Sequence, residues 1–402
     1  MKQSDNRMDN SESKRNEDKV MKDYNPVIAT VFGRGAVSVL GEKTAKFGCK
    51  KAMVVCGKSS TKNGTLDKAL ESLKAAGIEY IIYAEATPDA PDTSVDAGGD
   101  IAKAEGVDCL IGIGGGSAMD TAKAIAVLLA NPGSIDDYLT DPPTFVGVNV
   151  PIILIPTTSG TGAECTAHGV IMDTANNRKP AVFMPINLAI VDPELTLSVP
   201  PRTTATTGMD AFTHASEAIT TNNRDDRSEV IALAAIRNIA QYLPKAVEDG
   251  SVIEYREKMS QAANWAGIAL EDAGVHFGHS IADAFSAQFG TAHGLNCAWG
   301  SPELMKLIAP AVPEKVRLIG EALGAFFTGE ETSEEIGEKT ADAIRKLMKA
   351  SRIPSISEMG FSREKTVEAA AIAYESGLRF ACPAEITPEI TEQMFAAMYD
   401  NY

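Results

Sequence analysis

Between residues 51 and 155, short runs of consecutive apolar residues alternate with longer stretches in which apolar positions recur every three to four residues. The runs are 52–56 (AMVVC), 79–83 (EYIIY), 109–113 (CLIGI) and 151–155 (PIILI). A strand covered on both faces reads as such an unbroken run. The stretch 65–76 shows the complementary pattern, with Leu66, Ala69, Leu70 and Leu73 on one helical stripe. Buried strands alternating with amphipathic helices predict a parallel α/β sheet. From His168 to Pro200 the pattern changes to strand-like pieces, GVIMD, KPAVFM and LAIVD, ending at Pro200-Pro201. Beyond that pair, 203–221, 228–242, 253–272, 280–288, 313–326, 333–350, 362–375 and 388–402 read as successive helices. The fold expected is therefore an α/β domain over 25–200 followed by an all-helical domain over 201–402. Residues 1–24 are polar and without period, too poor in apolar surface to offset chain entropy, and read as a disordered tail.

Composition narrows the class. The 402 residues are 44% hydrophobic and 23% charged, the balance of a soluble chain with a large core. Lys plus Arg number 37 against 54 Asp plus Glu, a formal net charge of −17 that repels phosphate backbones and excludes nucleic acid as a partner. Six scattered Cys without a CxxC pair suggest neither a disulfide framework nor a zinc knuckle, and point to a reducing, cytoplasmic compartment. No apolar run reaches the ~18 residues of a membrane span, and no apolar segment follows the N-terminal charges as in a secretory signal.

Two loops carry candidate chemistry in the N-terminal half. After the run CLIGI comes Gly114-Gly115-Gly116-Ser117-Ala118-Met119-Asp120, leading into an apolar helix that stops at Asn131-Pro132-Gly133. Ser117 and Asp120 have capping-box spacing, which starts the helix at the glycines. Glycines let backbone approach a ligand closely, and the free N–H groups of a helix N-terminus favour an anion such as pyrophosphate. The alternative is a tight strand-to-helix turn with no ligand. The segment is neither a Walker A loop nor GxGxxG. A second loop, Pro156-Thr157-Thr158-Ser159-Gly160-Thr161-Gly162-Ala163-Glu164, follows the next strand, where open α/β sheets bind ligands. Together the two predict a dinucleotide crevice.

The helical half holds four of the five His. Asp210 and His214 stand at i and i+4, on one helix face. His276 and His279 lie at the start of a short helix, and His293 follows fourteen residues after His279. One carboxylate with three imidazoles can hold a divalent transition metal and leave a position for a substrate oxygen. Core histidines with satisfied hydrogen bonds are the alternative.

The motifs GGGSAMD (114–120), IPTTSGTGAE (155–164), GMDAFTHASEA (208–218) and the GH…HG segment (278–294), in this order, resemble the iron-containing, or group III, alcohol dehydrogenases. The resemblance spans about residues 25–400. It implies an architecture like that of dehydroquinate synthase, a dinucleotide domain and a helical domain with a catalytic metal between them. It places metal ligands on Asp210, His214, His279 and His293. Cofactor contacts fall on Gly114, Gly115, Gly116, Ser117, Asp120, Thr157, Thr158 and Lys179. The implied activity is reversible hydride transfer between NAD(P)(H) and a small alcohol or aldehyde, with Fe(II), or zinc, as Lewis acid. A homodimer or larger homo-oligomer is implied as well.

Three departures from the pattern stand out. Asp283 stands where many relatives have a His near the nicotinamide, and an additional His276 precedes His279; either is a candidate for relaying the proton, and His276 is also a rival third ligand, with His279 favoured because its segment, 279–293, aligns without gaps. The usual Asn-Pro-Arg near the C-terminus reads Thr387-Pro388-Glu389. At Gly57, NAD-preferring relatives often carry an Asp. With Gly57, Lys58, Ser59 and Lys62 there instead, the adenosine ribose site lacks the acid that repels a 2′-phosphate, which predicts NADP(H) over NAD(H). Two rival readings are a zinc enzyme like glycerol dehydrogenase or dehydroquinate synthase, and a non-catalytic scaffold of the same fold. The Asp210/His214 pair argues against the first and the intact loops against the second.

Overall fold

The computed structural model describes residues 27–402 apart from 63, 141 and 177, so the stretch 1–24 read as a tail lies outside the described residues. Strands and helices alternate through β1 (Thr30–Phe32), α1 (Leu40–Lys46), β2 (Lys51–Val55), α2 (Asp67–Ala75), β3 (Glu79–Tyr83), α3 (Asp92–Ala104), β4 (Cys109–Gly114), α4 (Gly116–Ala130), β5 (Ile152–Pro156), β6 (His168–Val170), β7 (Ala181–Phe183) and β8 (Leu188–Val191). Helices follow: α5 (Pro201–Thr220), α6 (Asp226–Glu248), α7 (Ile253–Ala273), α8 (Phe277–Phe289), α9 (His293–Ile308), α10 (Pro313–Ala322), α11 (Ser333–Ala350), α12 (Arg363–Glu368), α13 (Ala370–Glu375) and α14 (Pro388–Asp400).

Six strands form one parallel sheet in the order β1-β8-β5-β4-β2-β3, and β6 pairs antiparallel with β7 as a separate hairpin. Except in the edge strand β3, where Glu79 and Ile82 are exposed, the runs are apolar because both faces of the sheet are covered. Met53, Val55, Leu110, Ile152 and Leu154 pack with Met119 and Ile125 of α4. Their neighbours Ala52, Val54, Ile111, Ile113, Ile153 and Ile155 pack with Leu40, Ala69 and Leu73 on the other face. Each such fully buried aliphatic side chain contributes about 1.5–3 kcal/mol. The chain leaves β2 for β3 on one side and returns to β4 on the other, so the loops after β2 and β4 diverge and open a crevice at the carboxyl ends of the strands.

The structure adds elements that the hydrophobic pattern did not indicate. Helix α3 carries Gly98 and Gly99, poor helix formers, because it crosses α4 at close range: a Cβ on either would fall 2.4 Å from Ile125 or 2.7 Å from Leu128. Helix α9 is buried nearly all round, so it has no polar stripe, and Gly294, Gly300 and Pro302 mask its propensity further. Helix α6 runs through Pro244 to Glu248, past the expected end at 242, and 362–375 divides at Ala369 into α12 and α13.

Asp192 ties the start of the α/β part to its end, and two further contacts bind that part to the helices. Asp192 accepts from the backbone N–H of Gly35 (3.0 Å) and Val37 (3.1 Å) while capping the turn before α5. Arg256 of α7 donates to Val199 O, Gly250 O and Thr204 Oγ1. The loop after β5 meets α7 backbone to backbone, where a Cβ on Gly162 would come within 2.5 Å of Gly267 Cα.

Candidate active site

A cleft of about 490 Å³ opens where these parts meet, walled by Gly116, Ser117, Asp120 and Thr161 on one side and by Asp210, His214, His279, Asp283 and His293 on the other. A larger cavity of about 890 Å³ adjoins it and shares His168, Phe183, Leu270, Val275 and Leu378.

The helical wall is built from α5, α8 and α9. Asp210 Oδ1 lies 3.9 Å from His214 Nε2 and 3.8 Å from His293 Nε2. The His279 ring stacks on His214 at 4.8 Å and tilts toward His293 at 5.3 Å. Two glycines allow this convergence. A Cβ on Gly294 would fall 2.1 Å from Thr206 O, so only glycine lets the start of α9 bring His293 against Asp210. A Cβ on Gly278 would fall 2.2 Å from Glu217 Oε1. The pairing of His with Gly in GH…HG is thus a packing requirement.

Charge and burial set the donors' states. Burial alone would raise the Asp210 pKa, but His214, His293 and His279 outweigh it and hold the carboxyl below its usual range. Burial pushes His214 down to about 4, leaving a neutral imidazole. For His279 burial opposes protonation, but the Glu217 carboxylate beside it prevails and raises the pKa. His279 Nδ1 lies 2.6 Å from Glu217 Oε2. A carboxylate only accepts, so the neutral ring carries its hydrogen on Nδ1 and presents a lone pair at Nε2. Nε2 is buried with no hydrogen-bond partner. Leaving such a group bare costs about 1–3 kcal/mol, which a bound cation would offset. The residues present therefore fit a divalent metal.

Donor atoms of Asp210, His279, His293 and Cys297 lie within 4.8 Å of one another, which puts Cys297 in the tightest group and His214 just outside it. Burial pushes the Cys297 thiol well above its ordinary range, and Sγ donates to Asp210 Oδ1 at 3.6 Å. In the metal-free protein Cys297 supports the carboxylate as a thiol, whereas the neutral His214 imidazole can take a cation without first losing a proton.

The opposite wall joins the main chain at the start of α4 to side chains of the second loop and the β6–β7 hairpin. Helix α4 starts at Gly116 with Gly115 as its N-cap, but no side chain caps it, contrary to the capping-box expectation. Ser117 is already inside the helix, where its Oγ accepts from Asp89 N (3.1 Å), and Asp120 pairs instead with Lys123 (3.2 Å). Lys123 is fully buried and donates also to Thr166 Oγ1 and His168 O. A Cβ on Gly114 would sit 2.7 Å from Ala118 Cβ and on Gly116 2.9 Å from Thr161 Cγ2. At Gly115 it would meet Thr158 Oγ1 only at 3.5 Å, so packing does not demand glycine there.

Of the residues expected from sequence, Gly116, Ser117, Asp120, Lys179, Asp210, His214, His279, Asp283 and His293 line the cleft. Lys179 is held at its rim by Asp89, 2.8 Å away. Thr157 donates its N–H to Gly114 O (2.8 Å) behind the glycines, and most of its loop is packed against α5 and α7 rather than open to a ligand. Gly57, Lys58, Ser59 and Lys62 lie beyond the cleft wall after β2, with Lys58 paired to Glu85 at 2.8 Å. His276 does not reach the cleft: it is fully buried, with Nε2 2.9 Å from Thr220 Oγ1 and its backbone N–H on Glu217, so it has no path to relay a proton. Asp283 does, half-exposed and 3.7 Å from His293 Nδ1. Thr387-Pro388-Glu389 begins α14, Thr387 Oγ1 accepting from Ile390 N, and the C-terminal residues that face the cleft are Ser376 and Leu378. Sequence reasoning missed Asp89, Lys123, Glu217 and Cys297. Glu217 had a signal, since 210, 214 and 217 share one helical stripe.

A family model described as iron-containing alcohol dehydrogenase matches residues 28–193, and the C-terminal model of the Fe-containing alcohol dehydrogenase family matches 204–399. The chain belongs to the iron-containing alcohol dehydrogenase family. It is a metal-dependent alcohol dehydrogenase and aldehyde reductase that uses a nicotinamide dinucleotide. The NAD-dependent methanol dehydrogenase of Bacillus methanolicus is 36% identical over 357 residues, 86% of this chain and 92% of that protein. The 1,3-propanediol dehydrogenase of Klebsiella pneumoniae is 33% identical over 385 residues, 94% of this chain and 98% of its own. Among solved structures, a 1,3-propanediol oxidoreductase superposes with a TM-score of 0.88 at 32% identity, covering 94% of this chain and all of the other.

Proposed function

We propose that Asp210, His214, His279 and His293 hold a divalent metal, Fe(II) with zinc as the alternative, and that the loop 114–117 receives the pyrophosphate of the dinucleotide. The observation that carries this reading is the bare, buried Nε2 of His279 beside Asp210. When bound, the metal supplies Lewis-acid polarisation of the substrate oxygen and the nicotinamide carries the hydride. The start of α4 offers N–H groups and a positive dipole end to the pyrophosphate. Phe183, Leu270 and Leu378 give the junction of the cleft with the larger cavity an apolar lining. Asp283, open to solvent at the rim, passes the hydroxyl proton to water. The test is metal analysis of anaerobically purified protein with an NAD(P)H-linked aldehyde panel. Protein free of transition metal yet fully active would overturn the reading.

The substrate is a small alcohol or aldehyde, the size class of the methanol and 1,3-propanediol named for the relatives. For the dinucleotide we favour NADP(H). Gly57 leaves no carboxylate at the end of β2, and the Lys58–Glu85 pair, with side chains 69% and 56% exposed, is too solvated to withhold Lys58 from a 2′-phosphate. Lys58→Ala should lower kcat/KM several-fold for NADPH and leave NADH unchanged; equal kcat/KM for both cofactors in the wild type counts against the preference. We also propose a cytoplasmic homodimer, supported by six free, buried cysteines for the compartment and checked by light scattering for the assembly.

A further inference from the structure

Behind His279 lies a chain of buried polar groups that never reaches the cleft. Thr220 Oγ1 donates to Ser216 O (2.9 Å), so toward His276 Nε2, 2.9 Å away, it acts as acceptor and places the His276 hydrogen on Nε2. The His276 backbone N–H donates to Glu217 Oε2 (3.0 Å), and the same oxygen accepts from His279 Nδ1 (2.6 Å). Glu217 and His276 are fully buried. The Cβ-free Gly278 lets α8 settle onto the carboxylate. A charged group held this far from water is costly unless its hydrogen bonds are made, and removing the carboxylate would strand two buried donors.

We infer that Glu217, braced by the backbone N–H of His276, whose ring Thr220 holds in place, is a positioning residue that fixes His279 in the Nδ1–H tautomer and turns its Nε2 lone pair toward Asp210 and His293. The inference rests on the metal reading above. It assigns His276 a place in the support of the site. A carboxylate hydrogen-bonded to the far nitrogen both orients an imidazole and increases its basicity, and losing such a partner weakens metal affinity about 10–100-fold.

Glu217→Gln removes the charge while keeping an acceptor in the place of Oε2, and its amide would face His276 Nδ1, 3.7 Å from Oε1 and unpartnered, so the fold should tolerate it. Glu217→Met removes the acceptor. Co(II) affinity, measured by chelator competition on metal-free wild type and variants, should fall about 10-fold in Glu217→Gln and about 100-fold in Glu217→Met. Dinucleotide affinity and the metal-free melting temperature of Glu217→Gln should stay at wild-type values. Nitrogen-15 shifts of metal-free wild type in alkaline buffer should show His279 protonated on Nδ1. Wild-type Co(II) affinity in both variants, or a His279 proton on Nε2, overturns the inference alone. Wild-type protein that takes up no Co(II) overturns the metal reading and this inference with it. If Glu217→Met does not fold, Glu217→Gln and the tautomer measurement decide.

Discussion

The two walls of the cleft are built by opposite means. The α/β wall sets the main chain at the start of α4, entered through three glycines, among short or pinned side chains such as Ser117, Asp120, Thr161 and Lys179. The helical wall is side chain: a buried carboxylate, three imidazoles and a second carboxylate behind them, brought together from three helices. The first kind of wall is sensitive to added volume and the second to lost charge or lone pairs. A backbone cradle reads the shape and charge of an anion, whereas a buried donor cluster must be preassembled against its own desolvation.

The contrast can be broken at several points. His279→Ala should empty the metal site and reduce turnover by at least about 10³-fold, equivalent to about 4 kcal/mol of transition-state stabilisation. Metal-replete His279→Ala protein would remove His279 from the ligand set. Asp283→Ala should keep its metal and lose about 10²-fold in kcat, with an altered pH profile; unchanged kcat would leave proton transfer to water alone. Gly294→Ala drives a Cβ into Thr206 O and should cost about 1–3 kcal/mol in urea unfolding. That loss would show that the side-chain wall, too, depends on a glycine. Gly115→Ala should leave the unfolding midpoint unchanged and raise the dinucleotide KM about 10-fold, about 1.4 kcal/mol. An unchanged KM would mean that this glycine serves neither packing nor ligand.

Much of this was legible in the sequence because the signals were local. Unbroken apolar runs gave β2 to β5, helical spacing gave Asp210 with His214, and the glycines before Ser117 gave the start of α4. What escaped was set by tertiary contact. Helix α9 is hidden by its own burial, α3 by glycines needed for a close crossing, and the packing of the second loop by Gly267, 105 residues beyond Gly162. His276 was misplaced for a related reason. A His three residues before a ligand can face either way, and the partners that turn it inward, Thr220 and Glu217, lie more than fifty residues upstream.

Asp89 and Ala90 both adopt left-handed backbone conformations, φ 65° and 47°, and Ala90 is fully buried there. Each such residue costs about 1–2 kcal/mol relative to an ordinary conformation. Glycine at either position would be the cheap thermodynamic choice, yet at 89 it would keep only the N–H donated to Ser117 and lose the carboxylate that holds Lys179 at the rim of the cleft. The rim is therefore a place where thermal tolerance and ligand handling pull against each other. Asp89→Gly, by relieving the strain, would raise the melting point while releasing Lys179 from the rim.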